Sequence, residues 1–173
     1  MSRHGILGVG RAQVSLRSSS SSLNKPGKDG CILLHYAADS SKTEILKFLL
    51  TSGAEVDFLN SEGSPPIQYA ATAGVEENMK ELLANRDEVN RTNRGGRIAL
   101  HDAATSGMVQ AIDVLVHANT NINKQDNRFE MPLFMAACSS AFEAAKHMIK
   151  HKPMLILPDM AAGLRYIPSH KPR

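Results

Sequence analysis

The sequence predicts an all-α solenoid, a stack of helix–turn–helix units, and three observations carry that prediction. Paired alanines recur every 33 residues, as Ala37-Ala38, Ala70-Ala71, Ala103-Ala104 and Ala136-Ala137. Three residues before each pair stands an apolar residue with its partner: Leu34-His35, Ile67-Gln68, Leu100-His101 and Leu133-Phe134. Further along each unit, Leu49-Leu50, Leu82-Leu83, Leu115-Val116 and Met148-Ile149 keep the same interval. A fixed period of this length marks an array whose units bury their apolar faces only against one another.

Composition sets the outer bounds. The chain has 173 residues, 42% hydrophobic and 21% charged, long enough to bury a core without disulfides or a metal. No apolar run approaches the ~18 residues of a membrane span. Two cysteines, Cys31 and Cys138, are too few for a disulfide framework and point to a reducing compartment. The net charge of +3 is an average over basic ends and an acidic middle: +5 over 1–28, −6 over 29–141 and +4 over 142–173. With no Trp and 5% aromatics, platforms for stacking bases are poorly supplied, so direct nucleic-acid binding is not expected.

The elements follow in order. Residues 1–28 read as a disordered, basic leader, with five serines at 18–22, scattered arginines and no sustained period. An Arg- and Ser-rich, acid-free stretch is also the composition of a mitochondrial transit peptide. The four units occupy about 29–61, 62–94, 95–127 and 128–160. In each, small alanine pairs let two short antiparallel helices approach closely. Ile45, Leu46, Leu49 and Leu50 make one apolar face of the first unit's second helix, and Phe48 and Val114 are expected to pack where Glu81 stands. Gly74 and Gly107 sit between helices, where positive φ is wanted. Val56-Asp57, Val89-Asn90, Ile122-Asn123 and Leu155-Ile156 close the units, followed by Asn60, Asn93, Asp126 and Asp159. The basic tail, 160–173, supplies Leu164, Tyr166 and Ile167, at most one helix of a fifth unit.

The motif at each first helix resembles the ankyrin repeat, whose signature is Thr-Pro-Leu-His-x-Ala-Ala on a 33-residue helix–turn–helix. The resemblance runs over residues 29–159, with Pro66 and Pro132 in the proline column and His35 and His101 in the histidine column. Departures predict a marginally stable array. The Thr column reads Ile32, Pro65, Ile98 and Met131, removing a capping hydroxyl. The glycine after the second helix survives only as Gly53, becoming Arg86, Asn119 and Lys152, of which only Asn adopts the left-handed conformation easily. Both terminal units also lack the polar outer face of a capping repeat. The expectation is a partner over those faces or a longer array, the second being favoured.

Two subfamily resemblances compete. Met131-Pro132-Leu133-Phe134-Met135-Ala136-Ala137, Glu143-Ala144-Ala145-Lys146 and Ile122-Asn123-Lys124-Gln125-Asp126-Asn127 look like the intracellular ankyrin domain of Notch receptors. That resemblance implies a nuclear platform assembling with a DNA-binding transcription factor and a coactivator. Pro66-Ile67-Gln68 and Leu100-His101-Asp102-Ala103-Ala104 resemble ankyrin-type inhibitors of cyclin-dependent kinases; an unclassified ankyrin adaptor is the third reading. All imply a monomeric protein-binding module, cytoplasmic or nuclear, with no membrane contact and no cofactor.

The family resemblance also implies a concave binding face of hairpin tips and first-helix surfaces. By period, the tips carry Phe58 and Leu59, then Arg91, Thr92 and Arg94, then Lys124, Gln125 and Arg128. The exposed first-helix column reads Tyr36, Tyr69, Asp102 and Met135. Arg91, Arg94, Arg97, Lys124 and Arg128 would form a basic stripe on an acidic body, a dock for an acidic segment with Tyr69 and Met135 as apolar anchors. The same stripe also reads as a solvated charge run.

Catalytic chemistry is not expected. His35 and His101 read as structural residues bonding the adjoining turn. His147 and His151, four apart, could face a metal together, but no third ligand is near in sequence, and they read as surface histidines, so no metal site is expected. Cys138 has no obvious base, and no phosphate loop, zinc motif or nucleophile elbow occurs. Asn90-Arg91-Thr92 is a glycosylation acceptor that a reducing compartment leaves unused. Asn90, with Leu82, Glu88 and Val89 upstream, resembles the hairpin asparagines hydroxylated in this family; alternatively it simply holds its turn.

Overall fold

The computed structural model describes residues 22–85, 88–151, 156–157 and 165–166. Among the described residues the helices of the array follow one another in pairs: α1 (Leu33–Asp39) with α2 (Thr43–Thr51), α3 (Pro66–Ala73) with α4 (Glu76–Ala84), α5 (Ala99–Thr105) with α6 (Val109–His117), and α7 (Pro132–Cys138) with α8 (Phe142–Lys150). At seven to nine residues none is long enough to persist alone in water. Each first helix packs on the next first helix, α1–α3–α5–α7, while the second helices stack alongside as α2–α4–α6–α8. Among the described residues no helix is long and apolar enough to cross a membrane.

The alanine pairs are what the stacking requires. Ala38, Ala70, Ala71, Ala103, Ala104 and Ala136 are fully buried, as are Leu34, Leu46, Leu82, Leu100, Ile112 and Leu115. With only a methyl at the contact, neighbouring first helices can approach closely. The helix-to-helix turns need left-handed backbone: Gly74 and Gly107 both have φ 72, and Ser140 holds φ 57 in the same column. Asn119, the expected tolerant replacement for glycine, has φ 65.

The loops form a second ladder. Asn60 Oδ1 accepts the N–H groups of Glu62 and Ser64, Asn93 Oδ1 those of Gly95 and Arg97, and Asp126 Oδ1 those of Arg128 and Glu130. Each turn is then bonded to the next, with Ser61 N–H on Asp29 O, Arg94 N–H on Glu62 O and Asn127 N–H on Gly95 O.

First-helix starts are satisfied without a capping hydroxyl. His35 Nδ1 accepts the Ile32 N–H at 3.2 Å, and its Nε2 donates to Ser64 O at 3.0 Å, in the following unit. His101 repeats this with Ile98 and Glu130, and Gln68 Nε2 donates to Arg97 O at 2.7 Å. The histidines are therefore structural, bonding both their own helix start and the adjoining turn. Their donor assignment fixes a neutral ring with the proton on Nε2.

Four expectations are corrected. Ile45 and Phe48 are 48% and 67% exposed, because only Leu46 and Leu49 of α2 are turned fully inward. Glu81, in the Phe48 column, instead meets Lys47 of α2 at 3.1 Å. Residues 22–28, assigned to a disordered leader, lie against the first unit: Leu23 packs on the core and Asn24 Oδ1 accepts the Glu55 N–H at 2.9 Å. Leu23-Asn24 stands 33 residues before Val56-Asp57, so the repeat pattern begins earlier than Asp29. In the tail, β1 (Ile156–Leu157) pairs antiparallel with β2 (Arg165–Tyr166), so Tyr166 is in a strand rather than a helix. Leu164, Ile167, Arg86 and Lys152 lie outside the described residues.

Candidate functional site

Two adjoining clefts run along the loop tips and first helices. One, of about 420 Å³, lies between successive turns and is lined by Ser61, Glu62, Asn93, Arg94, Arg97 and Arg128, among others. The second, of about 380 Å³, carries Glu62, Asn93 and Arg97 on towards Gln68, Tyr69 and Asp102. The Asx turns that hold the loops thus also place the cleft walls, since Asn93 serves both.

The cationic end is built on a fixed arginine. Arg97 Nε meets Asp126 Oδ2 at 3.3 Å, with the Asp126 side chain 2% exposed. Burial pushes the Asp126 carboxyl up, but the N–H groups of Glu130 and Arg128 and the Arg97 guanidinium together hold it below the ordinary carboxylate range. Arg94 and Arg128 are exposed and make no ion pair among the described residues. At the other end Asp102 Oδ2 and Gln68 Oε1 are sealed from solvent without a hydrogen-bond partner. Burial pushes the Asp102 carboxyl up to about 7, with Arg97 opposing.

The clefts unite part of the expected site. Arg94, Arg97 and Arg128 converge on one, and Tyr69 and Asp102 on the other. Phe58, Leu59, Arg91 and Lys124 line neither cleft. Arg91 pairs with Glu88 at 3.5 Å; Phe58 sits edge-on to His35; Leu59 is 38% exposed. Two anchors need correction. Met135 is buried, because its side chain turns into the array rather than out of it. Tyr69 does reach the second cleft, but its hydroxyl is engaged inside, accepting from Asn60 Nδ2 at 2.9 Å and lying 3.2 Å from Cys31 Sγ. Burial, with the Cys31 contact next, pushes that phenol up to about 12.

Asn90 is exposed at its turn, and its Oδ1 accepts the Asn121 N–H at 2.7 Å and the Thr120 hydroxyl at 3.2 Å. Asn24 makes the same bond one period earlier than Asp57 and two before Asn90. His147 and His151 line neither cleft; they meet Asp113 on the second-helix stack.

Residues 34–126, more than half of the chain, match the family model described as ankyrin repeats in three copies. The chain belongs to the ankyrin-repeat family. The match ends before the fourth ankyrin unit, the one with Phe134 in the histidine column and Ser140 where Gly74 and Gly107 stand in earlier units. A search of curated proteins found no match to the chain. As an ankyrin array it is a protein–protein interaction module, and its partner is a protein.

Sequence reasoning missed Gln68, Ser61, Glu62 and Asn93 as cleft residues. The signal was present: each falls in a column beside a residue that was chosen, such as Gln68 in the histidine column.

Proposed function

We propose that this array is a non-enzymatic scaffold that captures an extended acidic segment of a partner protein along its loop-tip cleft. The reading rests on one observation: exposed Arg94 and Arg128, neither spent on an internal ion pair among the described residues, flank Arg97 in a single cleft. Arg97, held by Asp126, sets the cleft's geometry, and the two outer arginines supply the unspent charge. Guanidinium groups offer paired donors that match carboxylates, so the segment's Asp or Glu side chains would sit there. The segment would run on into the second cleft, past Gln68 and Tyr69. The partners to present first are those the subfamily resemblances imply, a nuclear transcription complex and a cyclin-dependent kinase.

A displayed random-peptide library tests the proposal, with the full chain as target and its R94E/R128E variant as counter-target. Peptides retained by the parent and lost on the variant should be rich in Asp and Glu, with affinity falling at least about tenfold on reversal. Retained peptides with no acidic bias, or equal binding to both proteins, would overturn the proposal.

A further inference from the structure

We propose that Asp113, His147 and His151 form a binding site for one divalent ion of the zinc class, joining α6 of the third unit to α8 of the fourth. The ligand atoms of the three side chains all lie within 4.8 Å of one another. Asp113 Oδ1 is 2.5 Å from His147 Nε2 and 3.8 Å from His151 Nε2, and the two Nε2 atoms are 3.4 Å apart. Zinc–nitrogen bonds of ~2.0–2.1 Å meeting at tetrahedral angles separate neighbouring ligand atoms by roughly 3.3–3.4 Å. The histidine pair is already at that spacing, and the Asp113–His147 contact needs to open by only about an ångström.

The ordinary reading is a cross-unit ion pair. Lys47 and Glu81 make one in the first and second units with the same 34-residue offset that separates Asp113 from His147. His151 is what that reading leaves out. One turn along α8 from His147, it turns its Nε2 onto the same point. With both rings neutral, a proton on His147 Nε2 can serve the carboxylate or His151, not both. A divalent cation accepts a lone pair from all three.

Two imidazoles and one carboxylate suit zinc and its late first-row neighbours; calcium and magnesium call for oxygen donors. Three protein ligands leave a fourth position for water or a donor from a bound protein. The ion would also hold down the fourth unit, where Phe134 is 37% exposed and Ala137, unlike the other alanines of its column, is uncovered.

Chelator-treated full-length protein titrated with zinc chloride in a calorimeter tests the site, with cobalt(II) absorbance as a second readout. One zinc per chain should bind, with a tetrahedral cobalt spectrum. Zinc at roughly a hundredfold excess over its dissociation constant should raise the melting temperature by about 5 °C. D113N and H151Q should each weaken binding at least about tenfold. H151Q, altered just beyond the end of α8, provides the reading even if changes at His147 perturb folding. Absence of saturable binding, or parent-like affinity in both variants, would overturn the proposal.

Discussion

Phe129 holds a φ of 61 in the column where Gly30, Gly63 and Gly96 have φ of 77, 76 and 77. A Cβ costs little at a glycine only when the backbone is right-handed; in the left-handed region it costs roughly 1–2 kcal/mol. Phe129 is 64% exposed, so its ring returns little burial to offset that strain. Phe129→Gly is therefore expected to stabilise the protein by about 1 kcal/mol, measured as a higher urea midpoint. An unchanged midpoint would mean that the left-handed turn is not strained there. This column was legible as a period, yet its φ requirement was not, since the glycines singled out from the sequence were those between helices. The turn's demand for positive φ arises from the Asx bonds of Asn60, Asn93 and Asp126, which appear only with coordinates.

At the scale of the element, the helices are short and their ends carry much of the accounting. Asn78, fully buried on α4, donates through Nδ2 to Ala37 O, Ala38 O and Ser40 O at 3.1, 3.0 and 2.6 Å. They cluster at the end of α1, where Ala37 O also accepts the Ser40 N–H at 3.2 Å and the last carbonyls run out of helical donors. Asn78→Ala, which installs the residue found in that column at Ala111 and Ala144, strips this cap from the preceding unit. We expect a loss of about 1–3 kcal/mol by urea denaturation, tempered because the unpartnered Asn78 Oδ1 is removed as well. A neutral substitution would show that water replaces the cap. In the sequence Asn78 reads as one more helix residue, because its partners lie some 40 positions earlier. By contrast the proline starts of α3 and α7 were legible, since Pro66 and Pro132 set their own φ at the first helical position.

For the whole molecule, stability against pH sums buried groups with opposite signs. Burial pushes His35 and His101 below their ordinary 6.5, against the bonds to Ser64 and Glu130 carbonyls. Their folded state resists protonation, so their contribution is complete above pH 6.5 and is lost as pH falls through the lowered values. Asp102 runs the other way. Raised to about 7 from 3.8, its contribution is complete below pH 3.8 and is lost as pH rises through about 7. Asp102→Asn should therefore be more stable than the parent at pH 8, by on the order of 1–3 kcal/mol after allowing for partial solvent access and for Arg97. The gap should close towards pH 4. Urea curves at pH 4, 6 and 8 check it, and a gap independent of pH would mean that Asp102 ionises normally.

The period of 33, the alanine pairs and the apolar columns by themselves determined the family, the helix pairs and most of the core. Local spacing suffices for this, because every unit contacts only its neighbours and the same columns meet the same columns. Tertiary structure alone decided where the working surfaces lie. Arg97 became a cleft wall because Asp126, 29 residues on, holds it, and Met135 left the surface because α7 rotates it inward. His147 and His151 acquired Asp113 from the preceding unit for the same reason. A contact between stacked units depends on how far one helix slides past the next, and periodicity sets the order of the units but not that offset.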